Sequence, residues 1–316
     1  MNEILTKERL IEARERISNQ VKRTPILTSS SINKILNANI FFKCENFQKV
    51  GAFKFRGASN AVLSLNEKEM INGVATHSSG NHAAALALAA KMKNIPAYIV
   101  MPKTAPEIKK KAVAGYGAKI IFCEPTLKAR EETLNNVIQE TNAIFIHPYD
   151  NYDVIAGQST AAQEIFAELN DLDFIIAPVG GGGLLSGTAL STKYFSPKTK
   201  IIGAEPKEAD DAFKSFNDKK IYPSINPKTI CDGLLTQLSE KTFKIITNTV
   251  DEILTAKEET IIEAMKLIWE RMKIIIEPSS AVTLAIMIEN QEKFLNKKIA
   301  IILSGGNVDL KNLPFK

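Results

Sequence analysis

Short runs of β-branched and aromatic residues alternate with helix-forming stretches along nearly the whole chain, and this alternation restricts the fold more than any other feature. Candidate strands are Ile40–Lys43, Val74–His77, Ala97–Met101, Lys119–Phe122, Ala143–Ile146, Phe174–Val179, Lys200–Ala204 and Ile299–Leu303. Most are bounded by Gly, Pro, Asn or Ser. Helical patterns fall between them, at Glu8–Ile17, Asn81–Lys93, Pro106–Gly115, Thr126–Thr141, Ile155–Leu169, Glu258–Met272 and Ser279–Asn290. Strands that are apolar on both faces belong in parallel sheets covered by helices on either side. Such a set fits one barrel or two open sheets. The spacing is uneven, and the segment from Gly203 to Val250 has poor periodicity and much Lys, Asp, Asn and Pro. The expected fold is therefore α/β, with two doubly wound domains and parallel sheets rather than one even barrel. A length of 316 residues agrees with two domains of about 150 residues each.

Composition removes several alternatives. Apolar residues make up 45% and charged residues 24%, which excludes a disordered, collagenous or coiled-coil chain. The balance of 40 basic against 35 acidic residues leaves +5, spread along the chain, and this is too mild to call for a nucleic-acid partner. Cys44, Cys123 and Cys231 are far apart, with neither a CxxC pair nor zinc spacing. A reducing, cytoplasmic setting is expected. Met1 to Arg16 carries both signs of charge and no apolar core, so it is not a signal peptide. Phe174–Thr192 is uncharged and nearly long enough for a membrane span. It contains Pro178 and consecutive glycines, whose backbone groups would go unpaired in lipid. It reads as a buried strand, a tight loop and a helix start, with no membrane partner.

Four loops could carry chemistry. In Gly51-Ala52-Phe53-Lys54-Phe55-Arg56-Gly57, apolar neighbours and a nearby arginine would lower the lysine pKa, giving an amine able to form a Schiff base. The plainer reading is a surface lysine on an amphipathic helix. In His77-Ser78-Ser79-Gly80-Asn81-His82, a strand ends and a strong helix former begins, so backbone amides point outward toward an anion such as a carboxylate. A simple helix cap is the alternative. Gly180, Gly181, Gly182 and Gly183 follow the strand Phe174–Val179 and offer a nest of N–H donors. The pattern is neither GxGxxG nor GxxxxGK[ST], so one phosphate monoester suits it better than a nucleotide. Ser304-Gly305-Gly306-Asn307 places a hydroxyl at the carboxyl end of the last strand, where α/β sheets bind ligands, although an ordinary turn also accounts for it. His147 before Pro148 reads as structural. Lys109-Lys110-Lys111 reads as a solvated helix face. Glu205 to Asp211 forms an acidic cluster whose oxygens would suit Mg2+ or Ca2+, or simply a solvated turn.

A lysine amine, a carboxylate cradle, a monophosphate cup and a terminal hydroxyl together describe a pyridoxal phosphate site. The chain resembles fold type II pyridoxal phosphate enzymes (tryptophan synthase beta-like), specifically the serine/threonine dehydratase and serine racemase group. The matching segments are Lys43 to Lys49 running into Ala52 to Ala58, then Ser78 to His82, Ala156-Gly157-Gln158, Gly180 to Gly183, Glu205-Pro206, Asp232-Gly233, Glu277-Pro278-Ser279 and Ser304 to Asn307. The resemblance implies that Lys54 is the Schiff-base lysine and that Asn81 hydrogen-bonds the cofactor's phenolic oxygen. It implies that Gly180 to Gly183 with the N–H of Leu184 hold the phosphate and that Ser304 meets the pyridine nitrogen. Ser78, Ser79, Gly80, Asn81 and His82 would bind the substrate carboxylate, with Ser79 as the opposite-face acid/base. Glu205, Ala209 (through its carbonyl) and Asp211 would hold Mg2+ or Ca2+.

The activity implied is dehydration of L-threonine or L-serine to a 2-oxo acid and ammonia, with small amino acids as substrates. Serine racemisation, with threo-3-hydroxyaspartate ammonia-lyase activity beside it, is the alternative. A homodimer is implied. The expected domains are a large one of residues 1–49 plus 147–316 and a small one of 50–146, with no regulatory domain and no isoleucine feedback. The chain departs from the pattern at Ala83-Ala84, where Gly-Gln is usual, which puts an ATP effector in doubt. It departs again at Ala52 and at Gln158-Ser159-Thr160.

Overall fold

The computed structural model describes residues 5–105 and 107–315. Among the described residues ten strands form two sheets: β1 Ile26–Thr28, β2 Asn39–Cys44, β3 Val74–His77, β4 Ala97–Pro102, β5 Lys119–Cys123, β6 Ile144–Phe145, β7 Phe174–Pro178, β8 Lys200–Pro206, β9 Glu252–Ala256 and β10 Lys298–Leu303. The larger sheet has the order β1-β2-β10-β7-β8-β9, and the smaller β5-β4-β3-β6. Every pairing is parallel except β1 with β2. Strand β2, early in the chain, lies beside β10 at its end, with Ile40 opposite Ile299. Residues 74–145 build the smaller sheet alone. The architecture is α/β, with helices on both faces of largely parallel sheets, as the resemblance implies.

Apolar runs bury both faces. On the larger sheet Ile176, Ile202 and Ile301 pack with the helices Glu258–Met272 and Pro278–Glu289. Their neighbours Ile175, Ile201 and Ile302 pack on the other face with Tyr152–Glu168 and Gly183–Phe195. On the smaller sheet Val74, Ile99 and Met101 meet Phe55, Ala58 and Leu86, while Ala75 and Val100 meet Leu134 and Val137.

Strands β1 and β9 escape the hydrophobic pattern because both are edges: β1 has only three residues, and Glu252–Ala256 alternates only weakly. The helix Lys54–Leu63 escapes it for the opposite reason. Residues 55–62 are all buried, so no polar face marks the helical period. The Pro106 start of one expected helix lies outside the described residues; the observed helix is Glu107–Gly115. The uncharged stretch resolves into β7, the glycine loop and the helix Gly183–Phe195. Among the described residues no helix is long and apolar enough to cross a membrane.

The loops singled out above all leave carboxyl ends of strands or sit against one. Ser78–Gly80 follows β3, the glycines follow β7, and Ser304–Asn307 follows β10.

Candidate active site

Lys54 opens the helix Lys54–Leu63, and the loop before it is stitched to the loop after β10. Phe53 N donates to Ser304 O at 3.0 Å, Gly306 N donates to Gly51 O at 2.9 Å, and Ala52 bridges Gly305. The Lys54 side chain is half-buried, with its amine 5.1 Å from the Phe53 ring centroid. It donates to Pro148 O at 3.1 Å and makes no ion pair among the described residues. Loss of solvent pulls its pKa down to about 8, against an opposing pull from Glu277.

The sequence suggests that Arg56 shares in that depression. It does not, because its guanidinium is spent elsewhere. It forms paired hydrogen bonds of 2.8 and 2.8 Å with Glu45 and of 2.6 and 2.9 Å with Glu164, and reaches Thr160 Oγ1 at 3.1 Å. Lys43 completes the cluster, donating to Glu164 at 2.6 Å and to Thr24 O at 2.7 Å. Burial alone would raise the Glu45 carboxyl; Arg56 beside it holds it below the ordinary value.

The turn before the helix Asn81–Lys93 presents Ser78, Ser79 and Gly80, all half-buried. A Cβ at Gly80 would meet nothing within 4 Å, so there is room for a ligand here. The helix-start amides lack intrahelical acceptors, and Gly80 N donates to Ser78 Oγ at 3.3 Å. His82 contributes through its backbone only. Its imidazole is buried, its Nε2 meets Ile146 O at 3.1 Å, and loss of solvent pushes its pKa to about 3.

Asn81 Nδ2 donates to both oxygens of Glu277, at 3.0 and 3.1 Å, and Asn81 Oδ1 accepts from Asn307 Nδ2 at 2.9 Å. Glu277 is buried, and burial with Asp232 nearby pushes its carboxyl up to about 7. The sequence motif contains Glu277 but suggests no role for it.

None of the four glycines leaves space for a side chain. A Cβ at Gly181 would lie 2.4 Å from the Tyr149 ring, and one at Gly180 2.9 Å from Leu234 Cα. Gly182 has φ 86°, a left-handed conformation that favours glycine. The backbone therefore forms the loop's surface, and Leu184 is buried in the first helical turn behind it. Tyr149, against this loop, follows the Pro148 that accepts from Lys54. Its turn is shaped by His147, whose Nδ1 accepts from Tyr149 N at 3.3 Å and Asp150 N at 2.8 Å, the structural role expected of that histidine.

Ser304 is buried, and its Oγ lies 3.1 Å from that of Ser280. Ser280 donates to Gly305 O at 2.7 Å and accepts from Gly305 N at 2.8 Å, so it is held by the same loop.

The acidic pair lies at a separate place. Both oxygens of Glu205 accept from the first turn of the helix Asp211–Asp218, from Ala212 N at 2.9 Å and Phe213 N at 2.7 Å. Asp211 is buried with neither carboxyl oxygen hydrogen-bonded, and burial raises its pKa to about 6. No group of three or more His, Cys, Asp or Glu suited to a metal occurs among the described residues.

A depressed amine without a carboxylate partner, a side-chain-free N–H loop and a neutral hydroxyl at converging strand ends fit pyridoxal phosphate. They define a class of enzyme that works on amines through a bound cofactor, carried on an α/β scaffold. The comparisons agree. The family model described as "Pyridoxal-phosphate dependent enzyme" matches residues 17–305, and the chain belongs to that family. It is 49% identical over 312 residues to the beta-hydroxyaspartate dehydratase of Paracoccus denitrificans, covering 99% of both chains. The crystal structure of serine racemase from Dictyostelium discoideum superposes with a TM-score of 0.93 at 48% identity, over 97% of this chain and 99% of that one. The crystal structure of the threonine deaminase from T.th. gives 0.93 at 39% identity, with the same coverage. The chain is thus a pyridoxal-phosphate-dependent enzyme of a group that contains both dehydratases and racemases.

Proposed function

We propose that the protein is an ammonia-lyase for small β-hydroxy amino acids, with 3-hydroxyaspartate and serine ahead of threonine. The observation that carries the lyase reading is the Lys54 amine, brought down to about 8 by loss of solvent and bonded to Pro148 O, next to the Tyr149 that packs on the glycine loop. The substrate order follows the identities, since the dehydratase of hydroxyaspartate at 49% stands nearer than the threonine deaminase at 39%.

Pyridoxal phosphate, when bound, supplies a carbonyl for amines and a sink for the electrons of a broken Cα–H bond. Lys54 would hold its carbonyl carbon, Asn81 its phenolic oxygen, Ser304 its pyridine nitrogen, and the amides of Gly180 to Leu184 its phosphate. Ser78, Ser79 and the helix-start amides at Gly80, Asn81 and His82 bind the substrate carboxylate. The free Lys54 amine takes the α-proton, for which a group titrating at about 8 has suitable strength. The Ser304 hydroxyl gives only a neutral hydrogen bond and does not hold the pyridine nitrogen protonated, which suits loss of a β-hydroxyl better than transamination. Glu205, the Ala209 carbonyl and Asp211 hold a divalent cation, supported by the unpaired oxygens of Asp211.

Serine racemisation is the second reading, favoured by the serine at position 79, which the resemblance makes the opposite-face acid/base. Purified protein is given L-threo-3-hydroxyaspartate, L-serine and L-threonine, with 2-oxo acid and D-serine scored together. The expected result is 2-oxo acid from all three, fastest from hydroxyaspartate. Ser79→Ala should remove D-serine and spare dehydration. Bound cofactor with no 2-oxo acid from any substrate would sink the lyase reading.

A further inference from the structure

A side-chain amide has two ends of nearly the same shape and opposite hydrogen-bonding character, so its partners decide which end faces a ligand. We propose that Glu277 and Asn307 are positioning residues that fix Asn81 in one orientation, through a relay running from the Val50 carbonyl to the Glu277 carboxylate. The proposal rests on the reading that Asn81 meets the cofactor's phenolic oxygen.

The relay is closed at each step. Val50 is a β-branched residue at φ 57° and ψ 12°, a conformation that such residues rarely adopt. From there its carbonyl accepts from Asn307 Nδ2 at 2.8 Å. The same nitrogen donates to Asn81 Oδ1 at 2.9 Å, so both Asn307 amide protons have acceptors. A flipped Asn307 would set its own oxygen against two carbonyl oxygens. Asn81 Nδ2 then donates to Glu277 at 3.0 and 3.1 Å, and a flipped Asn81 would set its oxygen against a carboxylate. Asn307 N donates to Glu277 Oε2 at 3.1 Å and closes the ring.

Two glycines make the fit possible. A Cβ at Gly305 would lie 2.9 Å from the Glu277 carboxyl atoms, and one at Gly51 2.7 Å from Asn307 Oδ1. The result is that Asn81 turns an N–H, and not its carbonyl, to any further partner while Glu277 is ionised. The relay also joins the helix start after β3 to the loop after β10, 226 residues away. The charged groups that act on Glu277 are Asp232 from its turn and Lys109 from the helix Glu107–Gly115, while Glu277 in turn acts on Lys54. Lys109 is no merely solvated lysine, since it reaches Asp232 at 2.7 Å.

The test is a double-mutant cycle on cofactor affinity, read from the visible absorbance as cofactor-free protein is titrated with pyridoxal phosphate. Glu277→Gln keeps the shape but offers Asn81 both a donor and an acceptor. It should weaken binding about tenfold and move the pH midpoint of the visible band. In an Asn81→Ala background the same substitution should change affinity less than about twofold. Equal effects of Glu277→Gln in both backgrounds, or wild-type affinity and midpoint in the single variant, would overturn the relay while leaving the enzyme reading intact. Wild-type affinity in Asn81→Ala alone would overturn the Asn81 assignment and the relay with it. Asn307→Asp, which sets an oxygen against Val50 O and Asn81 Oδ1, should reproduce the Glu277→Gln change; if Glu277→Gln does not fold, an unaltered Asn307→Asp overturns the proposal.

Discussion

Arg56 and Lys54 lie two positions apart on one helix, are both withdrawn from solvent, and have opposite fates. Arg56 is fully buried but saturated, with two carboxylates, two threonine hydroxyls and a backbone oxygen around it. Its charge is locked in place, and it ties the helix to β2 and to Tyr152–Glu168. Lys54 loses solvent without gaining a carboxylate contact, and its amine drifts toward neutrality. Withdrawal from water is common to both, and the partners decide whether the result is a rivet or a reagent.

The contrast can be broken, beginning with its largest consequence. Lys54→Ala should lower 2-oxo acid and D-serine production by at least about a thousandfold, since the covalent anchor and the base are removed together. Residual turnover of both products near the wild-type rate would refute the role of Lys54.

The stability effects should run the other way. Arg56→Met strands Glu45 in the interior and should cost about 3–5 kcal/mol in urea unfolding of cofactor-free protein. Lys54→Met removes a poorly solvated amine and should stay within about 1 kcal/mol of wild type. Similar losses in the two variants would erase the distinction.

A pH series sharpens it further. With Lys54 at about 8, the neutral amine grows as pH rises toward that value. The rate of pyridoxal phosphate uptake by cofactor-free protein should rise about tenfold per pH unit below 8 and level off above it. Glu45 is depressed, so its contribution to stability is complete above its unfolded value of 4.5 and is lost only as pH falls through the lower folded value. The Arg56 cluster should therefore show no change across the window in which Lys54 titrates.

The smallest expected effect lies in the third charged group, which is neither saturated nor reactive. Mg2+ or Ca2+ should raise the stability of the protein by about 1–3 kcal/mol over chelator, and Asp211→Asn should abolish the response. A response that survives in Asp211→Asn would place the ion elsewhere.

The parallel α/β architecture was legible because strands such as Phe174–Pro178 and Lys298–Leu303 must be apolar on both faces, and that demand is written locally. The loops that carry Lys54, Asn81, the four glycines and Ser304 could be picked out for a related reason, as short segments whose residue types serve one backbone geometry, while their roles came from the resemblance. The edge strands β1 and β9 were not legible, since an edge needs little burial. Glu277 was not legible as part of the site, because its meaning comes from Asn81, 196 residues away.

The sequence by itself determined the alternation of strands and helices, the loops at their carboxyl ends, and the residue types offered there. Only the tertiary structure decided which charges meet. It turned Arg56 into the interior and left Lys54 half-buried without a carboxylate, buried His82's ring, and set Glu277 against Asn81. The physical reason is range. Backbone geometry answers to near neighbours, whereas desolvation and ion pairing answer to groups that the fold brings from distant parts of the chain.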